Sequence, residues 1–225
     1  MLKGKKAVIF DLDGTLVDTA PDLALAVNMV RTARGIAPLP EEELRPYASR
    51  GAPGLLGKAM GIGRDDPAFP DLRTEFLDNY AAHMTDRSRP FEGVPAMLEA
   101  LRAAGIRTGV VTNKVEHLAL RLTGDLGLDG QLDVVLGSDS EGCAMKPAPD
   151  SLLTAARLTG IPVTDILYAG DDPRDVAAAH AAGMPCAACT WGYAVTPPES
   201  WGADLVAHSP AELATWAVQL NTHAL

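Results

Sequence analysis

The chain has 225 residues, a formal net charge of −10 at pH 7, 47% hydrophobic residues and 21% charged residues. This hydrophobic content supports a packed core and excludes a wholly disordered chain, and the length fits one large domain or two small ones. The negative charge repels phosphate backbones, so we expect no nucleic-acid partner. No stretch approaches the ~18 apolar residues of a membrane span, and the apolar start is too short for a signal peptide, so we expect a cytoplasmic protein without a membrane partner.

Short apolar runs alternate with helical patterns along most of the chain. The runs lack polar alternation, which predicts parallel strands covered on both faces. The predicted strands are residues 7–10, 107–112, 133–136, 166–169, 186–190 and 204–206. The predicted helices, each followed by the glycine that helix ends favour, are residues 95–104, 116–126, 150–159 and 174–182. This alternation predicts an α/β fold with a doubly wound parallel sheet.

The interval between the first two strands interrupts this alternation. It contains almost a hundred residues with helical patterns throughout, and residues 21–34 and 72–83 each place apolar side chains on one helical face. A crossover of this length within one sheet would be abnormal. We therefore predict an all-helical cap domain, residues 17–90, inserted into an α/β core formed by residues 1–16 and 91–225.

Cys186 and Cys189 form a C-x-x-C pattern, which is typical of some zinc and redox sites. No second pair of metal ligands is nearby, and residues three apart on a strand face opposite ways. A redox pair would instead lie at the start of a helix. We interpret both cysteines as small buried hydrophobic residues.

Two acids follow the first strand at positions i and i+2. Residues 11–19 read DLDGTLVDT, so Asp11 and Asp13 lie where an apolar strand ends, and Gly14 permits the following turn. The carboxyl edge of an open α/β sheet is where such folds bind ligands. A capped acidic turn is the structural alternative, but the combination of apolar strand, acids, glycine and apolar continuation favours a functional site.

This segment resembles the signature of the haloacid dehalogenase superfamily, in its phosphatase branch. The resemblance implies that Asp11 is a nucleophile that forms an aspartyl-phosphate, and that Asp13 is the general acid and then the general base. A carboxylate is ionised near pH 7 and can act as a nucleophile, and a second carboxyl can move the proton. The dehalogenases of the superfamily lack an acid at the position of Asp13, so halide chemistry is disfavoured.

Further polar residues follow in the order of this family. Thr112 and Asn113 end the second core strand and could donate hydrogen bonds to a phosphoryl oxygen or cap the next turn. Lys146 precedes two prolines that fix its loop, and its ammonium suits both the phosphate and the charge of the nucleophile. We therefore expect Thr112 and Lys146 to take part in catalysis and both, with Asn113, to bind substrate.

Three acids follow the fourth core strand within five residues, and they would repel one another without a cation. Magnesium prefers a few carboxylates together with phosphate and water. By resemblance, Asp11 and Asp171 are Mg²⁺ ligands, the backbone carbonyl of Asp13 completes the protein set, and Asp175 orients Lys146 or a metal-bound water. For Asp172 the sequence allows two roles, a metal ligand or the cap of the next helix.

We expect a Mg²⁺-dependent phosphatase of small phosphate esters, with the helical insert as a lid. The whole chain resembles the phosphoglycolate phosphatase subgroup, and its cap resembles the N-acetylmuramic acid 6-phosphate phosphatases equally well. Arg50 could pair with the carboxylate that both substrates carry, or lie on the surface. A sugar-phosphate mutase of the same fold, a receiver-type signalling domain and a non-catalytic binding protein are the alternatives. The protein is expected to be a monomer or homodimer.

Overall fold

The computed structural model describes residues 4–222, and a parallel sheet lies at its centre. The strands in this range are β1 (Ala7–Phe10), β2 (Val17–Asp18), β3 (Arg89–Pro90), β4 (Arg107–Val111), β5 (Val134–Leu136), β6 (Ile166–Gly170), β7 (Cys186–Cys189) and β8 (Leu205–Ala207). Six of them form the central sheet in the order β5-β4-β1-β6-β7-β8, and every neighbouring pair is parallel. The predicted α/β fold with a doubly wound parallel sheet is confirmed.

Strand β1 shows why the apolar runs lack alternation. Ala7 and Ile9 pack into the hydrophobic cluster on one face of the sheet, and Val8 and Phe10 pack into the cluster on the other. All four side chains are fully buried. Since β4 and β6 flank β1, the carboxyl ends of these three strands lie side by side, at the point where the chain changes direction across the sheet.

Helices cover both faces of the sheet. Within the described residues they are α1 (Ala20–Thr32), α2 (Glu41–Leu44), α3 (Gly51–Met60), α4 (Phe69–His83), α5 (Val94–Ala103), α6 (Glu116–Asp125), α7 (Asp150–Thr159), α8 (Pro173–Ala181) and α9 (Pro210–Thr222). None of the helices described between residues 4 and 222 has the length and apolarity that a membrane crossing requires. The bounds of the six predicted helices agree with the structure to within three residues, and those of α7 are the predicted ones. Helices α2, α3 and α9 were not predicted individually.

Helices α1 to α4 form a helical layer, residues 20–83, above the carboxyl edge of the sheet. Leu23 and Val27 of α1 and Phe76 and Tyr80 of α4 are buried in one hydrophobic cluster. The chain enters this layer through β2 and leaves it through β3, and these two strands pair antiparallel. Each is only two residues long, so no hydrophobic periodicity could have predicted them.

The C-x-x-C pair lies within β7. Cys186 and Cys189 are fully buried there, and burial raises the pKa of both thiols well above the ordinary value. A raised pKa disfavours the thiolate that metal binding or redox chemistry requires. Both residues pack as small hydrophobic side chains, as predicted.

Candidate active site

Three buried carboxylates meet at the carboxyl edge of the sheet. Asp11 follows β1, Asp171 follows β6, and Asp175 lies in the first turn of α8. Asp11 is 8% exposed and the other two are 1% exposed, and one oxygen of each lies within 4.8 Å of the others. Burial raises the pKa of Asp11 to about 6, although Lys146 opposes the shift. Burial, and then Asp11 and Asp175, raise the pKa of Asp171 well above its ordinary value.

Asp171 is held on both carboxylate oxygens. The hydroxyl of Thr15 donates to its Oδ1 at 2.9 Å, and the backbone N–H of Tyr193 donates to its Oδ2 at 2.8 Å. Gly14, with a φ of +88°, lets the backbone pass so close that a Cβ there would lie 2.2 Å from Asp171 Oδ2. Two features therefore require glycine at this position of the D-x-D-G motif, namely the positive φ and the close approach of the backbone to Asp171.

Lys146 provides the positive charge of the cluster. Its Nζ lies 3.0 Å from Asp11 Oδ1 and 2.6 Å from Asp175 Oδ1, and it donates to the hydroxyl of Tyr168 at 2.8 Å. Burial opposes the charge of Lys146, but Asp11 and Asp175 outweigh burial and raise its pKa. The loop containing Lys146 thus brings its ammonium directly to the predicted nucleophile.

Asn113 lines the cavity and also makes contacts within the protein that were not predicted. Its side-chain amide donates to the backbone oxygen of Lys146 at 3.0 Å, and its Oδ1 accepts from the backbone N–H of Lys146 at 2.8 Å. This two-bond pairing holds the Lys146 loop and uses one of the two N–H groups of the amide. Thr112 lines the cavity as expected; its Oγ accepts from the Lys114 N–H, and its hydroxyl can still donate.

Asp13 points away from the acidic cluster toward a separate cation. Its Oδ1 accepts from the hydroxyl of Thr19 at 2.7 Å, and its Oδ2 lies 3.0 Å from Lys114 Nζ. Lys114 is 6% exposed and lies 4.4 Å from the centre of the Tyr80 ring, so the helical layer covers this pair. Burial opposes the charge of Lys114, but Asp13 and Tyr80 outweigh burial and raise its pKa.

Asp172 is the N-cap of α8. Its Oδ1 accepts from the backbone N–H of Arg174, while Asp175 accepts from the backbone N–H of Asp172 in return. The Arg174 guanidinium contacts both oxygens of Asp172, at 2.7 and 3.0 Å. These contacts commit Asp172 to the cap, and among the described residues it is not part of the three-carboxylate group.

A cavity separates the acidic cluster from the helical layer. Its core side includes the predicted residues Asp11, Asp13, Thr112, Asn113 and Lys146. Its helical side combines apolar and cationic residues, namely Leu23, Phe69, Phe76, Leu77, Tyr80, Arg50, Arg64 and Arg73. Within residues 4–222, none of these three arginines forms an ion pair with a carboxylate. Unpaired arginines in a chain of net charge −10 favour an anionic ligand on this side.

Lys114, Tyr168 and Tyr193 are among the site residues that were not predicted from the sequence. Lys114 directly follows the predicted site residues Thr112 and Asn113, so its position at the end of a core strand was a usable signal. Tyr168 lies in the middle of β6, where an aromatic residue is ordinary, and Tyr193 lies in a loop far along the chain. Their contacts arise from tertiary packing, which residue patterns do not encode.

The chain matches the family model described as haloacid dehalogenase-like hydrolase over residues 5–183. It is 43% identical over 207 residues to a phosphoglycolate phosphatase of Xylella fastidiosa, covering 91% of this chain and 90% of that one. It is 40% identical over 211 residues to an N-acetylmuramic acid 6-phosphate phosphatase of Pseudomonas aeruginosa, covering 92% of both.

The fold is also similar to that of a solved structure. The crystal structure of a predicted phosphoglycolate phosphatase from Haemophilus somnus superposes with a TM-score of 0.84 and 28% identity. The match covers 94% of this chain and 97% of that one. The similarity therefore includes the helical layer as well as the sheet.

Proposed function

Because this chain belongs to the haloacid dehalogenase-like hydrolase family, as its motifs predicted, we propose that it is a Mg²⁺-dependent phosphatase of a small phosphorylated metabolite. One observation carries the proposal. Asp11 lies at the carboxyl edge of the sheet against Lys146 and two further carboxylates, beneath a cavity with cationic residues on its other side. This arrangement fits a nucleophile that receives a phosphoryl group.

Asp11 and Lys146 account for the first half of the reaction. A carboxylate oxygen of Asp11 attacks phosphorus, and the bond from phosphorus to the alcohol oxygen breaks. The ammonium of Lys146, 3.0 Å from Asp11, balances the charge of the nucleophile and of the phosphoryl oxygens. The hydroxyl of Thr112 donates to one phosphoryl oxygen, and Asn113 holds the Lys146 loop through its two backbone hydrogen bonds.

Asp13 transfers the proton in both half-reactions. It protonates the leaving alkoxide, and it then accepts a proton from the water that attacks phosphorus and releases inorganic phosphate from Asp11. Thr19 and Lys114 hold its two oxygens, so the carboxyl stays at the cavity wall. The cycle ends with Asp11 free again.

The three-carboxylate group suits a divalent cation. Lys146 contacts Asp11 and Asp175, but among residues 4–222 the donors to Asp171 are neutral, so a further positive charge would stabilise its anion. Carboxylate oxygens are the ligands that Mg²⁺ prefers, and it would neutralise phosphoryl charge when bound. Asp11 and Asp171 would hold it with the Asp13 carbonyl. Asp175 has both oxygens in hydrogen bonds, which supports the orienting role for this residue.

We take 2-phosphoglycolate as the first candidate substrate, and its carboxylate as the group that Arg50 binds. N-acetylmuramic acid 6-phosphate is the second candidate. The Pseudomonas aeruginosa relative supports it, as does the broad apolar wall of Phe69, Phe76 and Leu77, because glycolate offers little apolar surface to such a wall.

The test is hydrolysis by the purified protein with Mg²⁺, and with Mg²⁺ removed by chelation. Phenyl phosphate reports the phosphatase activity, and the ratio of kcat/KM for the two acid-bearing esters identifies the substrate. We expect metal-dependent hydrolysis of all three, with one acid-bearing ester strongly preferred. Absence of any Mg²⁺-dependent phosphate release would contradict the proposal.

A further inference from the structure

Arg174 joins the carboxyl edge of the sheet to the helical layer. Its guanidinium holds both oxygens of Asp172, and its Nη2 also donates to the backbone oxygen of Ser49 at 2.7 Å. Ser49 lies in the 3-10 helix Arg45–Arg50 of the helical layer. One guanidinium thus connects the loop that follows β6 with a turn more than a hundred residues earlier.

The turn that Arg174 holds leads directly to the cavity. Arg50 follows Ser49 and lines the same cavity as Asp11, to which Asp172 and Arg174 also contribute. On its other side Arg50 packs against Gly54 of α3 so closely that a Cβ on Gly54 would lie 2.3 Å from the Arg50 Cβ. The backbone at Arg50 is therefore fixed from two directions, by Arg174 from the core and by Gly54 from the helical layer.

The ion pair between Asp172 and Arg174 can hold the Ser49–Arg50 turn in one position. The Asp172 side chain is 18% exposed and that of Arg174 is 33% exposed, so water screens the pair only partly. Asp172 also caps α8 and follows the candidate metal ligand Asp171 directly. A bidentate arginine on a capped helix start has little freedom, and a carbonyl bound to it is held in turn.

We propose that Asp172 and Arg174 are positioning residues for substrate recognition. They hold the Ser49–Arg50 turn so that the Arg50 guanidinium faces the leaving group of an ester whose phosphate lies at Asp11. This inference rests on the proposed phosphatase function and assigns the acid after Asp171 to recognition of the leaving group and not to the metal.

The kinetic test compares esters with and without an acidic leaving group. Arg174→Gln is expected to lower kcat/KM for whichever acid-bearing ester the wild type hydrolyses, phosphoglycolate or N-acetylmuramate 6-phosphate, by about 10- to 100-fold, mainly through KM. Phenyl phosphate, which has no carboxylate, should change by less than about threefold. Arg174→Lys should recover part of the loss, since it keeps the charge without the bidentate geometry.

Two further variants separate positioning from other roles. Asp172→Asn keeps a good helix cap but loses the charge pair, so it should reproduce the Arg174→Gln pattern while the apparent Mg²⁺ affinity stays unchanged. Gly54→Ala moves Arg50 without touching Asp172 or Arg174 and should give the same substrate-selective loss.

The matched control is Arg107→Gln. Arg107 likewise contacts a carboxylate and a backbone carbonyl, Asp133 Oδ1 at 3.0 Å and Thr159 O at 2.9 Å, but at the amino edge of the sheet. This variant should leave both kinds of ester unaffected.

Hydrogen–deuterium exchange tests the inference without turnover. The backbone amides of residues 45–51 should exchange faster in Arg174→Gln than in the wild type or Arg107→Gln, with the sheet unchanged. Equal losses on all esters, unchanged exchange in this turn, or a loss of Mg²⁺ affinity in Asp172→Asn would each overturn the inference. Failure of the proposed function is distinguishable, because the wild type would then hydrolyse no ester while the exchange result would stand.

Discussion

Two buried lysines lie at opposite edges of the same sheet and behave oppositely. Lys5, at the amino edge, is fully buried and donates to the backbone oxygen of Thr164. Burial lowers its pKa, and the more distant Asp165 and Asp204 restore only part of the shift. Lys146, at the carboxyl edge, is equally enclosed, but Asp11 and Asp175 in direct contact raise its pKa.

The difference separates a structural charge from a functional cluster. At the amino edge charged residues form single pairs, such as Arg107 with Asp133 and Lys6 with Asp165. At the carboxyl edge several like charges are buried together, which reduces stability unless a ligand or metal compensates. Strongly shifted pKa values in a cavity are a recognised mark of functional sites.

The largest expected effect is on catalysis at the carboxyl edge. Asp11→Asn should lower kcat for phenyl phosphate by about 10⁴-fold or more, because the amide cannot attack phosphorus. Asp165→Asn, which removes a carboxylate from the amino edge, should keep the wild-type rate. Comparable rates in the two variants would show that the acidic cluster is not the catalytic centre.

The two lysines can be compared directly with the same substitution. Lys146→Met leaves Asp11 and Asp175 buried without their cation, which should reduce the free energy of unfolding by about 3–5 kcal/mol and kcat by about 10²- to 10³-fold. Lys5→Met removes an unfavourably buried charge and leaves one carbonyl unpaired, so its stability should stay within about 1 kcal/mol of the wild type. Urea unfolding and steady-state kinetics measure both, and equal destabilisation would remove the distinction between the edges.

Removal of Mg²⁺ should lower the thermal stability of the protein through the carboxylates at the carboxyl edge. With free Mg²⁺ at about 100 times its Kd, linkage adds about 2.7 kcal/mol and raises Tm by about 5–10 °C in a chain of this size. Asp171→Asn should lose this increase but have a metal-free Tm at or above that of the wild type, because a repelled carboxylate is gone. Calorimetry with and without chelator measures both, and an undiminished Mg²⁺ effect in Asp171→Asn would exclude this residue as a ligand.

The smallest effect is the pH dependence of the metal-free protein. Burial raises the pKa of Asp11 to about 6, so between its ordinary value of 3.8 and about 6 the folded state binds a proton that the unfolded state releases. Stability from this group therefore falls as pH rises through that range and is constant above it. Asp11→Asn should decline less steeply than the wild type, and the remaining decline comes from Asp171, whose pKa burial also raises. The hydrogen bond from Lys6 lowers the pKa of Asp165, so this group changes the stability only below pH 3.8. Asp165→Asn should therefore show the same dependence of stability on pH as the wild type from pH 4.5 to 6.5.

Much of the fold could be predicted because it depends on local patterns. Most strands of the parallel sheet are short apolar runs, although β4 begins with Arg107 and Thr108, and glycines mark the helix ends. The predicted elements therefore agree with the structure to within a few residues. The exceptions have physical reasons. Strands β2 and β3 are too short to carry a period, and α9 lies beyond the regular alternation.

The site was predictable where its residues follow strands or match the motifs of the family. Asp11, Thr112 and Asp171 follow strands, Lys146 and Asp175 match the motifs, and the structure brings all five together. The pairing of Asn113 with the backbone of Lys146 was not predicted, because no spacing encodes it. Lys114 and Arg174 act across the boundary between the sheet and the helical layer, and such contacts depend on how the two pack.

The most direct test of the account is to trap phosphate on Asp11. Asp13→Asn should slow release of the phosphoryl group, so rapid mixing with phenyl phosphate and Mg²⁺, followed by borohydride, should convert residue 11 to homoserine. Mass spectrometry of the peptide containing residue 11 identifies this reduction. Homoserine at position 11, dependent on Mg²⁺ and on substrate, is the predicted result. The assignment of Asp11 as the nucleophile would be contradicted if the wild type releases phosphate but residue 11 is not reduced to homoserine. Reduction of a different residue would contradict it equally.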